Sequence, residues 1–387
     1  MTALLSPQIA LTLSYPVAFT HGVFAPANPV LVQAISRQEP ERCHRVAVVV
    51  DAGVAQAWPR LDQDIRGYMD AHGGRLTLAG IRQIPGGEAA KAGTALVEDL
   101  QRWMLSLAID RHSVLLAIGG GAVLDVVGFA AATFHRGIRL VRLPTTVLAQ
   151  NDAGVGVKNG VNLAGVKNLI GSFAAPFAVI ADYDFLGTLP KRDARAGLAE
   201  AVKVAAIRDG AFFAWLQDKA DALAVFAPAE SEYMIRRSAE LHLDHIAAGG
   251  DPFEFGSARP LDFGHWAAHR LESLTEHRLR HGEAVAIGMA IDTMYAAEIG
   301  LLPEAEAGSL IALLQRLGFS LWDEALAVRA ADGGHPLFKG LDEFREHLGG
   351  RLTITMLTAI GRSTDVHAID MAALERALAR LETRVPA

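Results

Sequence analysis

Residues 116–168 read LAIGGGAVLDVVGFAAATFHRGIRLVRLPTTVLAQNDAGVGVKNGVNLAGVKN and carry two signals in succession. The first half continues an apolar run, 114–118, that breaks into Gly119-Gly120-Gly121 and then a helical pattern holding Asp125. A triple glycine between strand and helix lets backbone N–H groups approach a pyrophosphate at a helix N-terminus, where the dipole also favours negative charge. The same glycines serve equally as a tight turn with no nucleotide, and the G-x-G-x-x-G fingerprint is absent. The second half sets Asp152, Lys158, Asn159, Asn162, Lys167 and Asn168 among glycines. Ammonium groups neutralise phosphate, and amides both donate to and accept from hydroxyls, so this run suits a polyhydroxylated, phosphorylated ligand. Taken singly, Lys158 and Lys167 read as solvated surface lysines.

Outward from this stretch, strands alternate with helices. Residues 46–51 form a β-branched run ending in an acid, as in a central parallel strand with Asp51 at its carboxyl end. A helix over 62–72 and a strand over 76–84 follow, and PGGEAAK at 85–91 is a turn opening a helix to 109. Residues 140–143 and 178–182 read as further strands. Such alternation predicts a doubly wound parallel sheet with ligands beyond the strand carboxyl ends, where Asp51, Glu88, Lys91 and the glycine triplet gather. Upstream, the alternating run 9–15 and then FTHGVFAPANPVL read as an edge strand or hairpin and a helix start at Asn28-Pro29. After Leu189-Pro190 the character changes. Helices are predicted over 194–206, 211–224, 230–247, 266–274, 283–299 and 304–317, with no strong strand until 352–357 and a surface helix over 371–383. Residues 1–189 are therefore expected to form an α/β domain and 190–387 a helical one.

The whole chain bounds the class. Its 387 residues suffice for two cores, and 51% hydrophobic against 20% charged residues mark a globular chain. A net charge of −7 argues against a general nucleic-acid binder. Cys43 is the single cysteine, which excludes internal disulfides and Cys-rich zinc sites and fits a reducing compartment. The start, MTALLSPQIALTL, lacks the basic region of a secretory signal. Residues 114–134 are apolar enough to resemble a membrane span, but Asp125 and the glycines would open the backbone in lipid. The expectation is a cytoplasmic protein engaging neither nucleic acid nor membrane.

In the helical half, Glu200 in GLAEAVK, His265 in DFGHWAAH and His281 in RHGEAVAIG are candidates to bind one metal. Two imidazoles and a carboxylate are the ligand set of many catalytic zinc sites and leave a coordination position open. They lie far apart in a chain with fourteen histidines, so each also reads as a hydrogen-bonded core residue. His265 and His269, four apart, share a helical face. One is placed to hold a metal while the other serves as acid/base or phosphate contact, or the two are an ordinary helical pair.

Six motifs occur in order over residues 45–360: PGGEAAK, IGGGAVLDVVGFAAATFHRGI, LPTTVLAQNDAGVGVKNGVNLAGVKNLIGSF, TLPKRDARAGLAEAVK, LDFGHWAAHRLE and RHGEAVAIGMA. Together they resemble the dehydroquinate synthase family, more broadly the sugar phosphate cyclases. The resemblance implies a Rossmann-like NAD-binding domain, an all-α metal-binding domain, and a homodimer with its site in the interdomain cleft. By motif, Asp51, Glu88, Lys91, Gly120, Gly121, Asp125, Thr145 and Thr146 would surround NAD. Glu200, His265 and His281 would bind zinc or cobalt. Arg136, Asp152, Lys158, Asn168, Lys203 and His269 would surround a sugar phosphate, with His269, Lys158, Lys203 and Asp152 in catalytic roles. The implied chemistry is transient oxidation by NAD, elimination of phosphate, reduction and intramolecular aldol closure, with NAD recycled in each turnover.

Departures from the synthase pattern bear on the substrate. That pattern resembles N-F-G-H-T-x-G-H, preceded by a Lys and an Arg that help hold a substrate carboxylate. Here Asp262 replaces the Asn, the stretch 241–245 (LHLDH) has no Lys, and Arg259 sits one place off. An acid repels a substrate carboxylate but accepts from a neutral hydroxyl, so Asp262 is read as a substrate contact. The chain is thus more similar to the cyclases that take sedoheptulose 7-phosphate to valiolone-type cyclitols, although His269 stays where dehydroquinate synthases have it. Arg345 or His347 stands in for the family's late phosphate-binding Lys. The competing readings are dehydroquinate synthase itself, a metal-dependent polyol dehydrogenase of the same fold, and a non-catalytic sugar-phosphate binder.

Overall fold

The computed structural model describes residues 5–9, 11–164, 166–249, 253, 260–331, 333–347 and 350–384. Contacts divide the chain into two compact units, the first made of Met1–Ile118, Ala122–Leu143 and Val157–Ala181, the second of Gly119–Gly121, Pro144–Gly156 and Asp182–Ala387.

The first unit runs β1 (Val17–Thr20), α1 (Val30–Ser36), β2 (His44–Asp51), α2 (Ala52–Ala57), α3 (Leu61–Ala71), β3 (Leu76–Ile84), α4 (Ala95–Ser106), β4 (Val114–Gly119), α5 (Gly121–Thr133), β5 (Arg139–Pro144), β6 (Lys158–Leu163), β7 (Val166–Phe173) and β8 (Ala178–Asp182). Six strands form one sheet in the order β1-β8-β5-β4-β2-β3. β2 pairs in parallel with both β3 and β4, and β5 with β8. From β2 the chain goes out to β3 and then returns to place β4 on the other side. The switch point is therefore between β2 and β4, where Asp51 and Gly119 end their strands. Val46–Val50 and Val114–Ile118 are buried, as continuous apolar runs covered on both faces must be. The membrane-like run at 114–134 is this central strand followed by α5, which buries Val123, Leu124, Val126, Val127, Ala130 and Ala131.

Local chemistry accounts for the differences from the sequence reading. The helix expected from PGGEAAK onward begins only at Ala95. Glu88–Lys91 is a single 3₁₀ turn between Gly87 (φ 67°) and Gly93 (φ 76°), whose left-handed backbones interrupt a helix. The alternating run 9–15 holds no strand among its described residues, and the edge strand is β1. The helix start at Asn28-Pro29 is as expected, with Asn28 Oδ1 accepting from the Val30 N–H at 3.0 Å. The polar run after Gly156 is a β-hairpin, β6 antiparallel to β7. Its alternation is hidden by glycines that the pairing needs, since a Cβ at Gly171 would lie 2.5 Å from the Asn159 carbonyl oxygen.

The second unit contains a π-helical turn (Ala149–Ala153), α6 (Lys191–Arg208), α7 (Gly210–Asp218), α8 (Ala220–Ala224), α9 (Pro228–Ala248), α10 (His265–Leu274), α11 (His281–Glu298), α12 (Glu304–Arg316), α13 (Lys339–His347), a hairpin of β9 (Ile354–Ala359) and β10 (Arg362–Val366), and α14 (Met371–Arg384). The helix expected over 211–224 is two, α7 and α8. Apolar all round, α11 is the core, touching α6, α10, α12 and α14. The C-terminal helix is less superficial than expected, because Ala373, Leu374, Ala377, Leu378 and Leu381 are buried. No helix among the described residues is long and apolar enough to cross a membrane.

Candidate active site

Glycine contacts draw three helices of the second unit together. A Cβ on Gly282, the second residue of α11, would lie 2.2 Å from the Ala196 oxygen of α6. One on Gly288 would lie 2.0 Å from the oxygen of Gly264, the left-handed N-cap of α10 (φ 80°). Backbones in such contact bring the first residues of α10 and α11, His265 and His281, to the middle of α6, where Glu200 sits. One ligand atom from each of these three residues lies within 4.8 Å of the others. His265 Nδ1 is 3.2 Å from the Phe263 oxygen and His281 Nδ1 is 3.2 Å from Glu272 Oε2. With Nδ1–H donated in each case, both rings keep an Nε2 lone pair for a cation. His281 Nε2 is 3.8 Å from Glu200 Oε1.

The donor set fits a divalent metal. Both Glu200 carboxylate oxygens are buried, and beyond the Lys203 ammonium paired with Oε2 no hydrogen-bond donor reaches them among the described residues, a condition that folded proteins rarely leave uncompensated. The charged neighbour beside them is the Lys203 ammonium, one turn on along α6. Burial, helped by Lys203 and the other two imidazoles, holds His265 well below the ordinary histidine range, so it is neutral, as a ligand must be. His269 is exposed one turn after His265, with ring centroids 5.5 Å apart and 6.2 Å to His281.

Asp152 joins the same unit from the π-helical turn, its Oδ1 2.8 Å from His242 Nδ1 on α9. Burial opposes its ionisation, but His242 and the Lys203 ammonium outweigh that and hold its carboxyl below the usual range. Lys203 is the converse. Burial disfavours its charge, while Glu200, Asp152 and Asp262 overcome that penalty and raise its pKa. One ammonium thus faces three carboxylates.

In the first unit, Lys91 is buried and donates to Asp125 Oδ2 at 2.6 Å and to the Asn168 side-chain oxygen. Burial raises the Asp125 pKa against the pull of Lys91. Glu88 accepts from Asn162 at 3.2 Å, fastening the β6–β7 hairpin to the PGGEAAK turn. At the end of β2, Asp51 Oδ1 accepts from the Gly53 N–H at 2.8 Å, and a Cβ on Gly86 would lie 2.3 Å from that oxygen. Lys91 and Asp125, expected around NAD, and Asn168, expected at the substrate, therefore share one polar cluster. Gly120 and Gly121 open α5 in the other unit's set, where a Cβ on Gly120 would meet Thr146 Cγ2 at 3.2 Å. The Thr145 hydroxyl is buried with no hydrogen-bond partner, and the Thr146 hydroxyl accepts from Ala149 N at 3.1 Å.

Of the remaining expected residues, Arg136 is exposed with a left-handed backbone (φ 63°), and Lys158 is exposed at the start of β6. Asp262 is half-buried in a 3₁₀ turn before α10. Arg345 pairs with Asp342 on its own helix at 2.9 Å. Arg259 and the His347 side chain lie outside the described residues. Sequence reading passed over three partners. Glu272 was signalled by its place one turn after His269. Asp292 was signalled as an acid in an apolar helix, and it accepts from Gly264 N at 2.9 Å and Trp266 Nε1 at 2.7 Å. His242 carried no local signal.

A family model described as 3-dehydroquinate synthase N-terminal matches residues 81–196, and one described as 3-dehydroquinate synthase C-terminal matches 197–332. A 2-epi-5-epi-valiolone synthase of Streptomyces glaucescens is 34% identical over 359 residues, covering 92% of this chain and 87% of that protein. A 3-dehydroquinate synthase of Acidithiobacillus ferrooxidans is 36% identical over 366 residues, covering 94% of each. Among solved structures, ValA, the 2-epi-5-epi-valiolone synthase from Streptomyces hygroscopicus subsp. jinggangensis 5008 with NAD+ and Zn2+ bound, superposes with a TM-score of 0.86 at 28% identity, covering 98% of this chain and 100% of that one. The chain belongs to the 3-dehydroquinate synthase family and is an enzyme of the sugar phosphate cyclase class.

Proposed function

We propose that this enzyme converts sedoheptulose 7-phosphate to a cyclitol with loss of phosphate, using NAD and one divalent metal, zinc or cobalt, held by Glu200, His265 and His281. The observation that carries this reading is the charge around Lys203. Three carboxylates, Glu200, Asp152 and Asp262, outnumber the one ammonium they surround, an excess of negative charge that favours a divalent cation. A substrate carboxylate would add a charge with no counterpart, whereas a neutral polyol hydroxyl finds acceptors in Asp152 and Asp262.

Bound NAD supplies a transient hydride acceptor, and the metal supplies Lewis-acid polarisation of a substrate hydroxyl. The chain's own residues do the rest. Lys203, kept charged, orients a hydroxyl oxygen, and His269, exposed beside the two ligand imidazoles, moves protons at the reacting carbons. Arg136, Lys158 and Asn168 are assigned to phosphate and sugar, and Asp51, Glu88, Lys91, Gly120, Gly121, Asp125, Thr145 and Thr146 to NAD. In this reading residues 1–189 hold the nucleotide and 190–387 the metal, in a cytoplasmic homodimer.

A second reading, 3-dehydroquinate synthase, is favoured by His269 and by the comparable identity to such enzymes. Purified protein with NAD and zinc or cobalt is to be given each seven-carbon phosphate separately, following released phosphate and cyclised product. Product from sedoheptulose 7-phosphate is expected; product from the carboxylated heptulosonate alone overturns the substrate assignment.

A further inference from the structure

The π-helical turn Ala149–Ala153 carries three consecutive polar residues, and the first two are tied to backbone. Gln150 Nε2 donates to the Pro144 and Asp182 oxygens at 3.1 and 2.9 Å, and Asn151 Nδ2 donates to the Gly197 oxygen of α6 at 2.8 Å. The main-chain course of the turn is thereby set without Asp152. The third residue's side chain is held differently, by an imidazole from another helix, with His242 Nδ1 2.8 Å from Asp152 Oδ1. The His242 side chain is 15% exposed, and a Cβ on Gly156 would lie 3.3 Å from its Nε2, so the glycine at 156 gives the imidazole room to reach Asp152.

We propose that His242 is a positioning residue that fixes the Asp152 carboxylate, engaging Oδ1 and leaving Oδ2 to accept from a substrate hydroxyl. This rests on the cyclase reading for what Asp152 contacts, and on the geometry alone for what His242 does to Asp152. A carboxylate with two torsions beside a charged lysine otherwise samples several rotamers. Misplacement of an acceptor by about 1 Å costs on the order of a hundredfold in rate. His242 acts on orientation more than on binding, so its loss falls on kcat more than on KM.

The test uses full-length protein with NAD and cobalt. His242→Phe keeps the ring volume and removes the donor, whereas His242→Asn keeps an N–H near the Nδ1 position. With sedoheptulose 7-phosphate, His242→Phe is expected to lower kcat by about 10- to 100-fold with KM changed less than about threefold, and His242→Asn to recover most of that loss. In an Asp152→Asn background, His242→Phe should cost less than about twofold more, because the two residues act as one unit. A His242→Phe rate within about twofold of the parent, or full multiplication of the two losses, overturns the proposal. A crystal structure of His242→Phe reads the Asp152 rotamer independently of turnover. If the parent turns over neither sugar, the cyclase reading fails, while an unmoved Asp152 in that crystal is what refutes the positioning role.

Discussion

Glu200, His265 and His281 stand on three helices whose backbones touch through Gly282 and Gly288, whereas Lys91, Asp125 and Asn168 stand on a 3₁₀ turn, a helix and a hairpin joined by side-chain bonds. In the first cluster backbone contacts between helices bring the three side chains together. In the second the polar groups themselves tie the elements. The first should therefore lose function without losing its fold when one member is removed, and the second should lose stability.

The largest effect expected is on turnover in the first cluster. His265→Ala should remove the bound metal, read by elemental analysis after gel filtration, and lower turnover at least about a thousandfold, with the melting temperature of the metal-free protein nearly unchanged. Metal retained at one equivalent would show that the three residues are not the ligand set. Next comes Lys91→Met, which takes the buried ammonium from the half-buried Asp125 carboxylate and should cost about 3–5 kcal/mol in urea unfolding. A loss below about 1 kcal/mol would place that ion pair among solvated surface pairs and erase the contrast.

The smallest effect is a pH dependence beneath His265. Burial raises Asp292 to about 7, opposed by its bonds from Trp266 and Gly264. Its unfolded value lies near the ordinary aspartate range, so between about pH 4 and 7 the folded state holds a proton that the unfolded state has released. Stability contributed by Asp292 is thus present at acid pH and lost as pH rises through 7, by at most about 4 kcal/mol. Asp292→Asn, with no proton to lose, should flatten that slope in urea midpoints between pH 5 and 8; an unchanged slope assigns it to other groups.

The same contrast explains what could be read from the chain alone. Strands β2 and β4 and helices α6, α9, α11 and α12 follow from apolar periodicity, and the pairing of His265 with His269 on one face from helical spacing. The hairpin at 158–173 escaped because its glycines, needed for strand contact, dilute the alternation. The helix expected at Glu88 escaped because Gly87 and Gly93 break it into one turn. Pairs such as Asp152 with His242 join residues distant in sequence, on a π-helical turn and on α9, and no local pattern announces them. Glu272 and Asp292 were legible in principle, one by its spacing from His269 and the other as an acid inside α11.

The central claim is a cyclase that returns its hydride within each turnover. The direct measurement follows NADH absorbance and released phosphate together, with sedoheptulose 7-phosphate, NAD and cobalt. The account predicts one phosphate per cyclised product with no net NADH. NADH accumulating in proportion to consumed sugar, with the phosphate ester intact, would contradict it and mark a polyol dehydrogenase.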